Sequence, residues 1–438
     1  MTRRSANLLA ALALGAAAVR FVFSGVRWAI GPLSGDFAAA WPSGPLAWLR
    51  PDFPVTQVIG WESHLWNYGP AMHVVTLPLF LAPRWAMVPP IWAAINLAAL
   101  AIAFVLCLEL SGRRGQLGAA AVMAIAAVWL AFQPLAVCMR QGNIEIVEFL
   151  FILIGLRQLV ARRDTAAGIA IGWAAMIKFL PVGFVGWLVL RRRWRAAAAA
   201  AVVVAAVALG AAFTLDWRRS VALVDVMPRA AESNVYSIHF MSVSSMFLHR
   251  SSEIDWTVMN LRWLPEARHA IAARSGLLAT VALGVCYALW FFTRRERRLG
   301  WEEMGVLFLL MFLLPPWNHE DYFIFALMPL TGLVADAIAT RDIPGLAAAA
   351  AALTLISPVV PFSVLERTGW FPHSYAYFAD VHDLPFWGAV LLLMAVTSRA
   401  EAGRDDGMPK QLPPPSATDD HGERESPDGA ARAARTVC

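Results

Sequence analysis

The chain has 438 residues, of which 59% are hydrophobic and only 15% charged, against about 25% charged in soluble domains. Such a balance cannot cover a water-facing surface, so a soluble two- or three-domain protein is excluded and lipid must cover much of the chain. The formal charge of +5 does not indicate a nucleic-acid partner. The arginines punctuate apolar runs at 162–163, 191–195 and 294–298, as cytoplasmic loops do under the positive-inside rule.

The apolar runs have the length that crosses a hydrocarbon core about 30 Å thick. In chain order they predict membrane helices over roughly 5–30, 88–111, 116–138, 143–161, 196–215, 276–293, 301–316, 321–340, 343–360 and 384–398. Many of the 19 tryptophans stand at the ends of these runs, where interfacial aromatic belts lie. The start, MTRR before an apolar run, has no small-residue cleavage site ahead of polar chain and is read as a retained first span. No internal repeat of the kind many transporters carry is visible. Cys107, Cys138, Cys286 and Cys438 have no metal or redox spacing. The expected fold is all-α, a polytopic bundle of about ten to thirteen membrane helices including short or re-entrant ones. It would occupy residues 1–398, with outer loops at 31–69 and 216–275. The charged, Pro-rich stretch 399–438 is expected to be a disordered cytoplasmic tail, because it holds too little apolar surface to fold.

The arginines also set an expected topology. With Met1 inside, the first span delivers residues 31–69 outside. The clusters at 162–163 and 191–195 both belong inside, yet the chain between them is too apolar for a loop. A hairpin of two short helices, broken near Lys178-Phe-Leu-Pro181, resolves the conflict, because proline cannot continue a helix. Residues 70–86 are expected to dip in and return in the same manner.

Four groups of residues are candidates for chemistry. Lys178 is, with Lys410, one of only two lysines. A charge at bilayer depth is costly and should line a cavity or meet an anion, and a compact ammonium suits a phosphate oxygen; the alternative is a lysine snorkelling to the interface. Asp36, in SGDFAAAW, is a carboxylate able to serve as a base beside an acceptor hydroxyl, or a plain helix cap. Asp52, Glu62 and His64 share its loop, and local pattern does not choose among them. In PPWNHEDYF, 315–323, two prolines stop a helix, and Trp317, Asn318 and His319 open the next, where His319 could donate to a phosphate or a sugar hydroxyl. The acids there could also simply complement a helix dipole. Arg140-Gln141-Gly142-Asn143 is a polar turn whose arginine lies on the outer side, which suits an anionic ligand. Glu145 and Glu148 follow in a membrane helix and need a cavity or a cation such as Arg140. All four groups fall on one side under one topology.

These pieces resemble, in order, glycosyltransferase family 87 (the DUF2029 group) within the C superfamily of membrane glycosyltransferases. SGDF at 34–37 is similar to its aspartate-bearing first outer loop, and Asn67-Tyr68-Gly69-Pro70 to its Tyr-Pro-Pro element. Gln141-Gly142-Asn143 is similar to its Gly-Gln-x-Asn element, and Pro316-Trp317-Asn318-His319 to its late Trp-x-His element. AAGIAIGWAAMIKFLP, 166–181, with RRRWRAA behind it, is the closest match, and the resemblance spans roughly 5–340. It implies an inverting transferase without metal or cofactor that takes mannose, or a related hexose, from a polyprenyl-monophosphate donor. The acceptor would be an extracytoplasmic glycolipid or glycan, and the enzyme would sit among membrane lipids in the plasma membrane (bacterial inner membrane). Asp36 would be the general base, and Lys178, His319 and Arg140 would face the donor phosphate. Gln141, Asn143, Tyr68, Trp317, Asn318, Glu62 and His64 would line the cavity. Tyr-Gly-Pro in place of Tyr-Pro-Pro, the reordered Gln-Gly-Asn and the lack of a tyrosine after Asp36 are departures from the family pattern. Rival readings are a transporter or lipid flippase, with Lys178, Glu145 and Glu148 on its path, and a non-catalytic subunit of an envelope-assembly complex.

Overall fold

A computed structural model describes residues 2–30, 71–76, 79, 82, 84–178, 180–214, 241–251, 254–255, 260–261, 266–295, 299–315, 318–357 and 383–402. These form an all-α membrane protein; the one exception is a hairpin of two-residue strands, Ile254–Asp255 against Asn260–Leu261. The helices are α1 (Arg3–Ala29), α2 (Ala71–Val75), α3 (Val88–Leu110), α4 (Ala119–Ala131), α5 (Gln133–Gln141), α6 (Glu145–Val160), α7 (Asp164–Ile177) and α8 (Val182–Leu190). They continue as α9 (Trp194–Thr214), α10 (Val243–Ser251), α11 (Glu266–Thr293), α12 (Trp301–Leu313), α13 (Leu327–Thr340, entered through a 3-10 turn at Glu320–Ala326), α14 (Ile343–Ile356) and α15 (Leu384–Ala402). Four stretches, Arg3–Ala29, Val88–Leu110, Arg268–Thr293 and Asp321–Thr340, are long and apolar enough to cross a bilayer alone.

Three expectations need correction. The span expected at 116–138 is two helices, α4 and α5, bent by 54°. Pro134 in the first turn of α5 has no N–H to continue the ladder. The groups freed by the break find partners elsewhere: Arg20 of α1 donates to the Ala131 carbonyl at 2.8 Å and to Gln133 Oε1 at 2.7 Å, and the Gln133 N–H donates to Ser357 Oγ at 2.7 Å. The span expected at 276–293 begins ten residues earlier, at Glu266, inside the stretch assigned to the outer loop 216–275. The span expected at 343–360 stops at Ile356. In 70–86 the described residues contain the five-residue α2, whose Ala71 is fully buried, turn bonds from Leu79 to Thr76 and from Ala82 to Leu79, and the start of a 3-10 turn at Trp85–Met87. The loop 31–69 and the tail beyond Ala402 lie outside the described residues.

The broken hairpin over 164–190 is present. Lys178 leaves α7 in an extended conformation, φ −146° and ψ 143°, and Pro181 starts α8. The two arginine clusters return to one end, where Arg193 meets Asp164 at 3.4 Å. With 14 residues in α7 and 1.5 Å of rise per residue, Lys178 stands about 21 Å from that end.

The parallel helices α7 and α9 pack through small residues. A Cβ at Gly168 would run into the Ala196 carbonyl, and one at Gly172 would lie 2.8 Å from that of Ala200. Backbones in such contact need glycine, as small-xxx-small pairs do in membranes.

The arginine-rich end is tied by ion pairs. Glu109 at the end of α3 accepts from Arg114 at 2.6 Å and from Arg157 of α6 at 3.0 Å. Asp336 of α13 takes Arg113 at 2.8 Å and Arg399 of α15 at 3.1 Å. Glu303 of α12 is buried with Arg191 at 2.9 Å and the Trp187 indole at 3.0 Å. Arg294 pairs with Glu401. These bonds fix which ends of α3, α6, α8, α11, α12, α13 and α15 share one side.

Candidate functional site

The opposite ends of α5, α6, α7 and α13 converge on a second polar cluster. Its first wall is the turn between α5 and α6. Gly142 adopts φ 67° and ψ 30°, a left-handed conformation that glycine takes without strain. The Asn143 N–H closes back on the Cys138 carbonyl at 3.0 Å, and Trp92 of α3 donates to the Gly142 carbonyl at 2.7 Å. The turn thereby points Asn143 inward, 1% exposed. Its Nδ2 donates to Asp321 Oδ2 at 2.7 Å and to Gln141 Oε1 at 3.1 Å.

The second wall is the corner between α12 and α13. Asn318 exchanges bonds with Met241, receiving the Met241 N–H at 2.9 Å and donating Nδ2 to its carbonyl at 3.1 Å. This ties α10 to the corner. His319 is half exposed, with Nδ1 3.8 Å from Asp321 Oδ1. The Asp321 carbonyl receives the Cys138 thiol at 3.3 Å.

Lys178 enters between the walls from the hairpin tip. Its ammonium pairs with Glu145 at the start of α6 and lies 4.2 Å from the centre of the Tyr322 ring. Glu148, three residues further along α6, is fully buried. Behind the cluster, Phe149 packs edge-on against Phe308 and Phe325, at 5.4 and 5.8 Å between centroids, an apolar floor that lowers the local dielectric. Several buried polar atoms here have no hydrogen-bond partner among the described residues: Asn143 Oδ1, Glu145 Oε2, Asn318 Oδ1 and both carboxylate oxygens of Glu148. Buried polar atoms in folded proteins are ordinarily satisfied, and each exception costs about 1–3 kcal/mol. Five such atoms lie together in this cluster.

Of the residues singled out in the sequence, the structure thus assembles Gln141, Asn143, Lys178, Asn318 and His319. Arg140 stands in the same turn, exposed and without an ion pair to the described residues. Asp36, Glu62, His64, Tyr68 and Trp317 lie outside the described residues. Glu145 takes Lys178 as its cation instead of Arg140. Sequence reading missed Tyr322 and the Asn143–Asp321 bond. The signal for Tyr322 was its place two residues beyond Glu320 in a polar corner, but nothing local says that a ring faces a lysine 144 positions away.

Polar groups thus gather at both ends of the membrane helices, ion-paired arginines at one and the Lys178 cluster at the other. The sequence model of glycosyltransferase family 87 matches residues 66–316, more than half of the chain, and the chain belongs to that family. It is a membrane glycosyltransferase. The matched region contains Tyr68, Arg140, Gln141, Asn143 and Lys178, starts after Asp36 and stops just before Trp317. No curated protein and no solved structure matches the chain.

Proposed function

We propose that this glycosyltransferase moves a hexose, mannose in the first instance, from a polyprenyl-monophosphate carrier to a hydroxyl of an extracytoplasmic glycolipid or glycan, with inversion. The observation that carries the reading is the concentration of unsatisfied buried polar atoms around Lys178, at the helix ends opposite the arginines. Under the positive-inside rule the arginine-rich end is cytoplasmic, so the cluster faces outward, in the plasma membrane. A site at the bilayer edge admits a lipid-linked donor from the leaflet and an acceptor from the aqueous side.

In the proposed step Asp36 takes the proton of the acceptor hydroxyl. The oxygen attacks the anomeric carbon from the face opposite the phosphate, the bond from that carbon to the phosphate oxygen breaks, and polyprenyl phosphate leaves. Cations fixed beside the leaving group stabilise the charge that develops on it. Arg140 and the half-exposed His319 reach that group directly. Lys178, paired with Glu145 and lying over Tyr322, contributes positive charge from behind and extends the pair to a phosphate oxygen. Asn143, Gln141, Asn318, Tyr68, Trp317, Glu62 and His64 border the cavity and select the sugar and the acceptor.

The test is reconstitution in liposomes with labelled polyprenyl-phosphate mannose and a membrane lipid extract. Label should pass to a lipid or glycan product with release of polyprenyl phosphate. Failure to consume the donor across a panel of acceptors would favour a different donor or a non-catalytic subunit.

A further inference from the structure

At the arginine-rich end, the acids of the bundle are taken by Arg113, Arg114, Arg157, Arg191, Arg193, Arg294 and Arg399. Exposed arginines without an ion pair to the described residues also stand at this end, among them Arg192 and Arg341, and three more share one concavity. Arg162, Arg163 and Arg195 are exposed, form no ion pair among the described residues, and line one open cleft of about 360 Å³ together with Asp164, Thr165 and Ala166. The positive-inside rule accounts for arginines at this end, but not for three without an ion pair to the described residues lining one concavity.

The backbone explains the convergence. Arg162 and Arg192 both adopt the left-handed conformation, φ 59° and 56°. Each turn is closed by the next arginine, whose N–H returns to Gln158 at 2.8 Å in the first and to Leu188 at 2.9 Å in the second. Each therefore delivers arginines to the first turn of the following helix, α7 or α9. Because Gly168 and Gly172 hold these parallel helices in backbone contact, their like-charged ends lie side by side. Asp164 is the one acid lining the cleft, and Arg193 engages it. Guanidiniums repel one another, and the helix ends add to that field; an anion relieves it. Trp194, 61% exposed beside Arg195, marks the depth of the headgroup region, where tryptophan concentrates.

We infer that the cleft bounded by Arg162, Arg163 and Arg195 binds a phosphate-bearing anion at the membrane surface opposite the glycosyl-transfer site. Guanidinium forks match phosphate oxygens bidentately, Thr165 offers a hydroxyl, and the open side lets a headgroup enter while its acyl chains stay in the leaflet. The site is independent of the transfer reaction proposed above.

Native mass spectrometry of the full chain tests it, with phosphatidylglycerol, phosphatidylcholine and inorganic phosphate as separate probes. The wild type should retain phosphatidylglycerol in preference to phosphatidylcholine. The triple variant Arg162→Gln, Arg163→Gln, Arg195→Gln should lose at least tenfold in affinity, and somewhat more than a hundredfold if each charge acts independently at the membrane surface. The triple arginine-to-lysine variant should recover most of it. These side chains form no ion pair among the described residues, so the variants are expected to fold, which thermal unfolding verifies. Binding of inorganic phosphate that the triple glutamine variant also loses supports the same site with a soluble ligand. Retention undiminished in that variant, equal loss on Arg192→Gln plus Arg341→Gln at the same end, or no binding of either anion overturns the inference.

Discussion

Replacing Lys178 by methionine removes a buried ammonium that is 5% exposed and leaves Glu145, fully buried, without its counter-charge. Truncating one partner of a buried ion pair costs about 3–5 kcal/mol, mainly because the other charge is stranded. Glu145→Gln alone leaves Lys178 beside the buried Glu148 carboxylate, so its cost is smaller. The double variant removes both members of the pair but leaves the buried Glu148 without its nearby cation, so it recovers only part of the loss. The cycle therefore predicts non-additivity: Lys178→Met about 3–5 kcal/mol destabilising, Glu145→Gln less, and the double change less than the sum of the two. Reversible unfolding in mild detergent, followed by tryptophan fluorescence, measures all four corners. Activity should not follow stability: the double variant regains part of the stability but lacks positive charge near the donor phosphate, so transfer stays low. Additive losses would refute the pairing. A stable double variant with normal donor affinity would refute the electrostatic role given to Lys178.

Other outcomes follow from particular contacts. Asp36→Asn should abolish transfer with membrane insertion and thermal stability unchanged, read by product formation beside a melting curve. Gly168→Val drives a side chain into the Ala196 backbone, where neither helix can yield; destabilisation of about 1–3 kcal/mol or more should appear as reduced yield of folded protein in detergent. Asp321→Leu removes the acceptor of the 2.7 Å bond from Asn143, and a loss of about 1.5–3 kcal/mol is expected for a hydrogen bond to a charged group; transfer should fall further than stability, because Gln141, Asn143 and His319 lose their common anchor. Arg20→Leu removes the 2.8 Å donor to the Ala131 carbonyl at the α4–α5 bend and leaves it only the 3.5 Å contact from Ser357 Oγ, and about 1 kcal/mol of stability should be lost.

The membrane class, the helices and the broken hairpin were legible because lipid imposes strong constraints on sequence: span length, charge placement and proline position. The arginine clusters required residues 164–190 to return to their starting side, and the Arg193–Asp164 contact shows that they do. The bend at Phe132 was not legible, because its compensation comes from Arg20 and Ser357, more than a hundred positions away on either side. The helical start at Glu266 was missed because the first turns of α11 carry charges that read as loop. In the candidate site, rarity and depth singled out Lys178, and the structure places it among Glu145, Tyr322 and the Asn143–Asp321 pair. Its partner could not be inferred, since Glu145 and Arg140 are near in sequence whereas Glu145 and Lys178 are 33 positions apart. Composition shows which charges need partners; only the packing of α6 against α7 shows which partner each one finds.

Sidedness can be measured in intact cells. In a background with Cys107, Cys138, Cys286 and Cys438 replaced, single cysteines are placed at positions 36, 140, 319 and 163 and challenged with a membrane-impermeant maleimide. Positions 36, 140 and 319 should label from outside, and 163 only after permeabilisation. Labelling of 36 and 319 from opposite faces would separate the base from the phosphate-facing cations and contradict a single outward-facing transfer site.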